Sequence, residues 1–144
     1  NKNIMLAIFG QTTPKKATNF GFNINFMGHF NDEISLRLFY SAVDILVVPS
    51  RMEAFGQTAS ESMSCGTPVV SFGTTGLLDI VDHKINGYLA KPFETEDLSN
   101  GIEYILNASN YDELCINARK KAVEEFDSLV VSKKYEELYN KILR

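Results

Sequence analysis

Residues 44–72 read DILVVPSRMEAFGQTASESMSCGTPVVSF, and this stretch decides the fold class. Residues 44–48 are apolar enough for a buried strand, which Pro49 stops because it has no N–H to give a ladder. Residues 57–65 read as a short helix, since Gly66 followed by Pro68 is a helix stop. Residues 69–72 (VVSF) are strand-like again. Strand, loop, helix, strand is the repeating unit of a parallel α/β sheet with right-handed crossovers.

The loop and helix between these strands are poorly explained by packing. They carry little apolar volume, and Glu53 and Glu61 stand at either side of Phe55-Gly56. In open parallel sheets, ligands bind off the carboxyl ends of the strands, where loops lead into helix N-termini, and residues 49–60 occupy that place. Gly56 permits a close backbone approach. The amides of Gly56, Gln57 and Thr58 fall at the first helical turn, where unpaired N–H groups and the positive dipole end favour an anion such as phosphate. Glu61, one turn further in, is suited to accept hydrogen bonds from a pair of vicinal hydroxyls, as on a ribose. Glu53 is placed to reach a hydroxylated group beyond the phosphates. The spacing matches a ligand built as ribose, phosphate, sugar. The plainer alternative makes Glu61 a solvated helix residue and Glu53 a loop carboxylate supporting the helix start.

The rest of the chain agrees with the α/β reading. Residues 4–9 (IMLAIF) form a continuous apolar run ended by Gly10, the pattern of a central strand covered on both faces. Residues 10–22 are polar and turn-rich, and residues 24–27 form a second strand. Asn31 or Asp32 caps a helix reaching about Ala42, with Ile34, Leu36, Leu38 and Phe39 as its buried side. Residues 77–81 give a helical turn, Asn86-Gly87 a turn, and residues 88–90 a last strand. Helical spacing then recurs at about 95–107, 111–125 and 128–143.

With 144 residues the chain suits one domain, and 44% apolar with 22% charged residues is an ordinary globular composition. A net charge of −4 argues against nucleic acid as a partner. Cys65 and Cys115 are too few for a disulfide framework and lack metal-site spacing, so both are read as reduced thiols. No apolar run approaches a membrane span and no signal peptide opens the chain, which makes a cytoplasmic location the default. Asn1-Lys2-Asn3 leads straight into a strand without an initiator methionine, as expected of a piece of a longer protein.

The run PSRMEAFGQTASESMSCGTPVVSF resembles the signature of retaining GT-B glycosyltransferases, nearest to glycosyltransferase family 4 (glycosyl transferases group 1). The matching positions are Pro49-Ser50, Glu53, Phe55-Gly56, Glu61 and Cys65-Gly66-Thr67-Pro68-Val69, with Ala54 where glycine is commoner. Flanking segments are similar too: Ile24-Asn-Phe-Met-Gly28, the passage from Tyr40 to Ser50, TGLLDIV at 75–81 with Thr75 and Asp79 as departures, and Asn86-Gly87-Tyr88-Leu89 with Lys91-Pro92.

The resemblance implies a Rossmann-like parallel sheet flanked by helices, the C-terminal donor-binding domain of a GT-B enzyme. Residues 1–144 would be a single nucleotide-sugar-binding domain, truncated at its N-terminal end and without the acceptor domain. The reaction implied is transfer of a sugar from a UDP- or GDP-sugar to a glycan or lipid-linked acceptor, with no cofactor and no metal. Carried over by position, Glu53 is the catalytic-site carboxylate holding the transferred sugar, and Glu61 holds the ribose. Phe55, Gly56, Gln57 and Thr58 line the sugar and diphosphate, and Met27, Gly28 and His29 lie where the base rests.

The family's upstream Gly-Arg…Lys-Gly loop, whose cations neutralise the leaving diphosphate, is not in this chain. Lys15 and Lys16 sit in the wrong loop to replace it. The fragment alone is therefore expected to be inactive and to bind donor weakly. The competing readings are another GT-B enzyme, a sugar epimerase or phosphorylase-like protein, or a non-enzymatic nucleotide-sugar binding module.

Other conspicuous residues have plainer readings. His83 is expected at the surface, and Phe39 and Tyr40 as core and rim aromatics. Lys120, Lys121, Lys133 and Lys134, interleaved with glutamates, are expected on a solvated mixed-charge face rather than at a membrane. Ser60, Ser62 and Ser64 have no histidine near them in sequence and are read as helix-surface and packing residues.

Overall fold

A computed structural model describes residues 4–13 and 21–143. Lys15 and Lys16 lie outside the described residues. The chain divides into two compact units, Asn1–Leu36 and Arg37–Arg144.

In the first unit, β1 (Met5–Phe9) pairs in parallel with β2 (Asn23–Gly28), Leu6 standing opposite Ile24. The apolar run predicts a strand covered on both faces, but Ile4, Met5 and Leu6 are 50%, 60% and 37% exposed. Apolar content chose the strand; the burial of its faces depends on what packs there, which the run itself does not encode. The helix α1 (Glu33–Ala42) begins here. Asp32 caps it as expected: the Ser35 N–H and hydroxyl donate to its two carboxylate oxygens at 2.8 and 2.7 Å. Those bonds hold the Asp32 carboxyl below its ordinary pKa.

The second unit is built on a parallel three-stranded sheet in the order β3 (Leu46–Val48), β4 (Val69–Phe72), β5 (Gly87–Ala90). All four residues of β4 are buried, which is why Val69, Val70 and Phe72 show no polar alternation and the small Ser71 is the one hydroxyl among them. The helices α2 (Gln57–Ser64), α3 (Leu77–Ile80), α4 (Thr95–Leu106) and α5 (Tyr111–Lys121) pack on the sheet and on one another. One face gathers Val70, Ile105 and Leu114 with Val47, Tyr88, Leu98 and Ile102 around them. Gly101 makes this packing possible in mid-helix: a Cβ there would lie 2.5 Å from the Tyr88 ring.

Three helical expectations change. Of the predicted apolar side of α1, Ile34 and Leu38 are each 63% exposed, and the buried pair is Phe39 and Tyr40. The segment read as one helix over 111–125 leaves α-geometry at Ala122, where a π-helical turn (Ala122–Phe126) precedes Asp127. The Asp127 side chain then accepts the Leu129 N–H and starts α6 (Ser128–Ile142), of which no residue is buried. Periodicity finds a helix and an apolar stripe, yet cannot say whether a partner covers the stripe. No helix among the described residues is long and apolar enough to cross a membrane.

Lys121 departs from the expected solvated face. Its ammonium lies 2.9 Å from Asp82 with the side chain only 12% exposed. Asp82 in turn exchanges two hydrogen bonds with Asn86, which is 1% exposed. A lysine at the end of α5 is thereby used to close the turn before β5.

Candidate functional site

Because β3 and β4 are adjacent and parallel, the loops that follow them emerge at the same sheet edge, and they are tied together. The Glu53 N–H donates to Thr75 Oγ1 at 2.9 Å, and the Gly76 N–H donates to the Glu53 carbonyl at 3.0 Å. Gly76 has no alternative residue at this distance: a Cβ would lie 2.7 Å from Phe55 Cα and 2.8 Å from the Ala54 carbonyl oxygen. Thr75 pays for the tight turn with a left-handed φ of 44°. The Glu53 side chain is half-buried beside this junction.

Gly56 starts α2. Its φ of 98° lies in the left-handed region, and a Cβ would meet Leu77 Cδ2 at 2.9 Å, so both conformation and contact demand glycine. The first helical bonds of α2 are those of Ala59 and Ser60 to the Gly56 carbonyl at 3.0 and 3.1 Å. The amides of Gln57 and Thr58 therefore precede the ladder, at the end where the helix presents positive charge. At the other end, Gly66 N–H to Met63 and Thr67 N–H to Ser62 form the paired bonds of a left-handed glycine stop, as the Gly66 reading predicts. Ser60 and Ser64 donate to carbonyls one turn back, and buried Ser62 donates to Thr67, which gives all three hydroxyls structural partners.

Glu61 projects from the second turn of α2, half-buried, with each carboxylate oxygen engaged. Gln57 Nε2 donates to Oε1 at 2.9 Å, and the Tyr40 hydroxyl donates to Oε2 at 2.9 Å. Tyr40 is 1% exposed, and burial together with the Glu61 charge pushes its phenol well above the ordinary tyrosine pKa, so it remains a donor. The Tyr40 carbonyl also accepts the Thr67 hydroxyl at 2.6 Å. One residue of α1 thus holds both the middle of α2 and the turn behind it.

Phe55, which lies between the two glutamates in sequence, is 44% exposed, and its ring stands edge-on to Phe126 at 5.3 Å. Phe126 comes from the π-helical turn, a local irregularity that re-aims side chains. Arg51 places its guanidinium over the Phe93 ring at 5.1 Å, a cation in the same loop as Glu53. Buried Ser71 Oγ and Thr74 Oγ1, at the end of β4 and in the loop after it, have no hydrogen-bond partner among the described residues. No cluster of His, Cys, Asp or Glu able to hold a metal ion occurs among the described residues.

The structure therefore brings Glu53, Phe55, Gly56, Gln57, Thr58 and Glu61 to one sheet edge of the second unit. Met27 and Gly28 end β2 in the first unit, with exposed His29 after them. Sequence reasoning missed Tyr40, Thr75 and Phe126 as supports of the site. Tyr40 and Thr75 were visible only as a helix aromatic and a loop hydroxyl, and nothing in their local pattern points to Glu61 or Glu53. His83 is exposed as expected, with Nδ1 accepting the Leu89 N–H at 3.2 Å. Cys65 and Cys115 are free and half-buried.

Comparison with known proteins places this geometry. Residues 1–122 match the family described as Glycosyl transferases group 1. Over 100 residues the chain is 35% identical to an uncharacterized glycosyltransferase of Methanocaldococcus jannaschii, covering 69% of this chain and 25% of that protein. Among solved structures it is similar to the sucrose-phosphate synthase of Thermosynechococcus elongatus, at TM-score 0.81 and 29% identity, covering 96% of this chain and 38% of that one. It is also similar to the Anabaena protein HepE, solved in complex with UDP and glucose, at TM-score 0.73 and 26% identity, covering 83% of this chain and 32% of that one. The chain thus spans a quarter to under two-fifths of the length of these relatives. Parallel strands flanked by helices match the C-terminal domains of GT-B glycosyltransferases, and the chain belongs to the glycosyl transferases group 1 family.

Proposed function

We propose that this chain is the donor-binding part of a retaining glycosyltransferase of family 4, a hexosyltransferase using a UDP- or GDP-sugar. The observation that carries the reading is the Glu61 carboxylate. It is oriented by two hydrogen bonds, one turn behind the unladdered amides of Gln57 and Thr58, with Glu53 in the loop before them. UDP in the complex of the similar Anabaena protein supports a nucleoside diphosphate as the ligand class.

In this reading the diphosphate lies against the amides at positions 56–58. These are fixed dipoles that need no reorganisation as negative charge accumulates on the leaving group. Glu61 accepts hydrogen bonds from the ribose diol. Glu53, its backbone bonded at both N–H and C=O to the 73–76 loop, holds hydroxyls of the transferred sugar while the anomeric carbon gains positive character. Phe55 lines the space between them. The proposal includes donor binding without a metal ion. It includes a glycan or lipid-linked acceptor bound by parts of the protein beyond this domain, and a cytoplasmic site of action, peripheral to the membrane where the acceptor is a lipid. This chain by itself would then bind donor weakly and transfer nothing.

Glu61→Ala tests the reading. Losing a carboxylate paired to the ribose diol costs roughly 1.5–3 kcal/mol, or about ten- to a hundredfold in affinity. Calorimetric titration with UDP and GDP measures it, and a variant that binds its nucleotide as wild type does would exclude the ribose assignment.

A further inference from the structure

The Glu61 carboxylate is a flexible side chain in a half-open place, and a pair of vicinal hydroxyls needs both of its oxygens in one orientation. Two groups restrict it. Gln57 is exposed and lies on the same helix, one turn away, so its amide can leave Oε1 at little cost. Tyr40 is different in kind. Its ring is buried in the core, its carbonyl is anchored by the Thr67 hydroxyl, and its O–H has Oε2 at 2.9 Å. Each carboxylate oxygen has two lone-pair sites, so one protein donor per oxygen leaves one site on each for a ligand. A rigid donor on one face of the carboxylate therefore selects which face remains open.

We propose that Tyr40 is a positioning residue for the donor site, holding Glu61 so that its free lone pairs meet a vicinal diol, and that it thereby sets selectivity for ribose over 2′-deoxyribose nucleotides. This rests on Glu61 facing the ribose. The Tyr40 hydroxyl acts through the Glu61 carboxylate, to which it donates. Its phenyl body packs the end of α1, and the two roles separate in Tyr40→Phe, which keeps the ring and removes the O–H. Glu61 is half-exposed, so water can replace the lost donor and the fold is retained. What is lost is the fixed orientation.

The experiment is a set of calorimetric titrations of the full-length protein with UDP, GDP and their 2′-deoxy counterparts. Wild type, Tyr40→Phe, Glu61→Ala and the double variant are compared, and thermal melting is followed in parallel. Tyr40→Phe is expected to weaken binding of the ribonucleotide about five- to tenfold, equivalent to one oriented hydrogen bond, with the 2′-deoxy analogue and the melting temperature nearly unchanged. In the Glu61→Ala background the same substitution is expected to add nothing, since the group it orients is gone. Equal weakening of ribo and deoxy ligands, or a loss that persists in Glu61→Ala, would reduce Tyr40 to a packing residue and overturn the proposal. A selective effect of Glu61→Ala with none from Tyr40→Phe would overturn it too, leaving the ribose assignment intact. Wild-type affinity in Glu61→Ala would overturn both.

Discussion

Gly76→Ala is the substitution whose consequence the geometry sets most tightly. The added methyl would lie 2.7 Å from Phe55 Cα and from the Phe55 carbonyl oxygen, and 2.8 Å from the Ala54 carbonyl oxygen. Ordinary carbon contacts are about 3.5–4 Å, so the 53–56 loop has to retreat by roughly 0.8 Å. All three obstacles are main chain, and no rotamer change can relieve them. Overpacking of this kind costs about 1–3 kcal/mol. The retreat also strains the Gly76 N–H bond to the Glu53 carbonyl at 3.0 Å and the Glu53 N–H bond to Thr75 at 2.9 Å, worth about 1 kcal/mol each. The sum is roughly 3–5 kcal/mol if both bonds are lost, and less where movement of the loop spares them. Gly73→Ala is the internal control. Its Cβ would meet the Ala90 carbonyl at 3.4 Å and two side-chain atoms beyond that, an ordinary contact, so a loss under about 1 kcal/mol is expected. Urea denaturation of wild type and both variants measures the difference. On the proposed function, Gly76→Ala should also cost about a hundredfold in turnover, since Glu53 rides on the displaced backbone. If Gly76→Ala were as stable and as active as Gly73→Ala, the argument that glycine is required for contact between the two loops would be wrong.

Glu53→Ala should leave nucleotide affinity nearly unchanged while abolishing most turnover; comparable losses in both would refute the division of labour between the two glutamates. Phe126→Ala removes the edge-on partner of Phe55 at 5.3 Å and should cost about 1–2 kcal/mol in urea melts, with a weaker KM for donor and little change in nucleotide affinity. Asp97 accepts the Lys91 N–H at 2.7 Å and the Tyr88 hydroxyl at 3.0 Å, and these bonds hold its carboxyl below the ordinary pKa, the Lys91 bond foremost. A lowered folded-state pKa stabilises fully above the unfolded value and is lost as pH falls through the folded one. Stability measured by urea melts from pH 6 to pH 2 (an acid range of about four units) should therefore decline less steeply in Asp97→Asn than in wild type.

The element pattern was legible because it rests on local rules. Pro49 and Gly66-Thr67-Pro68 bracket α2 by backbone chemistry alone, and β4 reads as a strand from Val69, Val70 and Phe72 whatever surrounds them. The two-glutamate motif was legible for a different reason: its spacing is set by one loop and one helical turn, both contiguous in sequence. Where the reading failed, the deciding partner lay far away in the chain. Lys121 and Asp82, 39 positions apart, pair at 2.9 Å, and no local pattern announces it. Ile34 and Leu38 fit a buried stripe as well as Phe39 and Tyr40 do, and only packing chose between them.

By itself, then, the sequence determined the parallel α/β class, the short helix between Gly56 and Gly66, and the positions of Glu53 in the loop before that helix and Glu61 within it. These follow from dihedral preferences, missing donors and short-range spacing, which act within a few residues. Tertiary structure decided what holds the Glu61 carboxylate and the Glu53 backbone in place. Tyr40 reaches Glu61 across 21 positions, and Thr75 reaches Glu53 across 22. Adjacent parallel strands bring the second pair together by delivering both loops to one sheet edge. A hydrogen bond depends on separation in space, and separation along the chain carries no information about it until the sheet has formed.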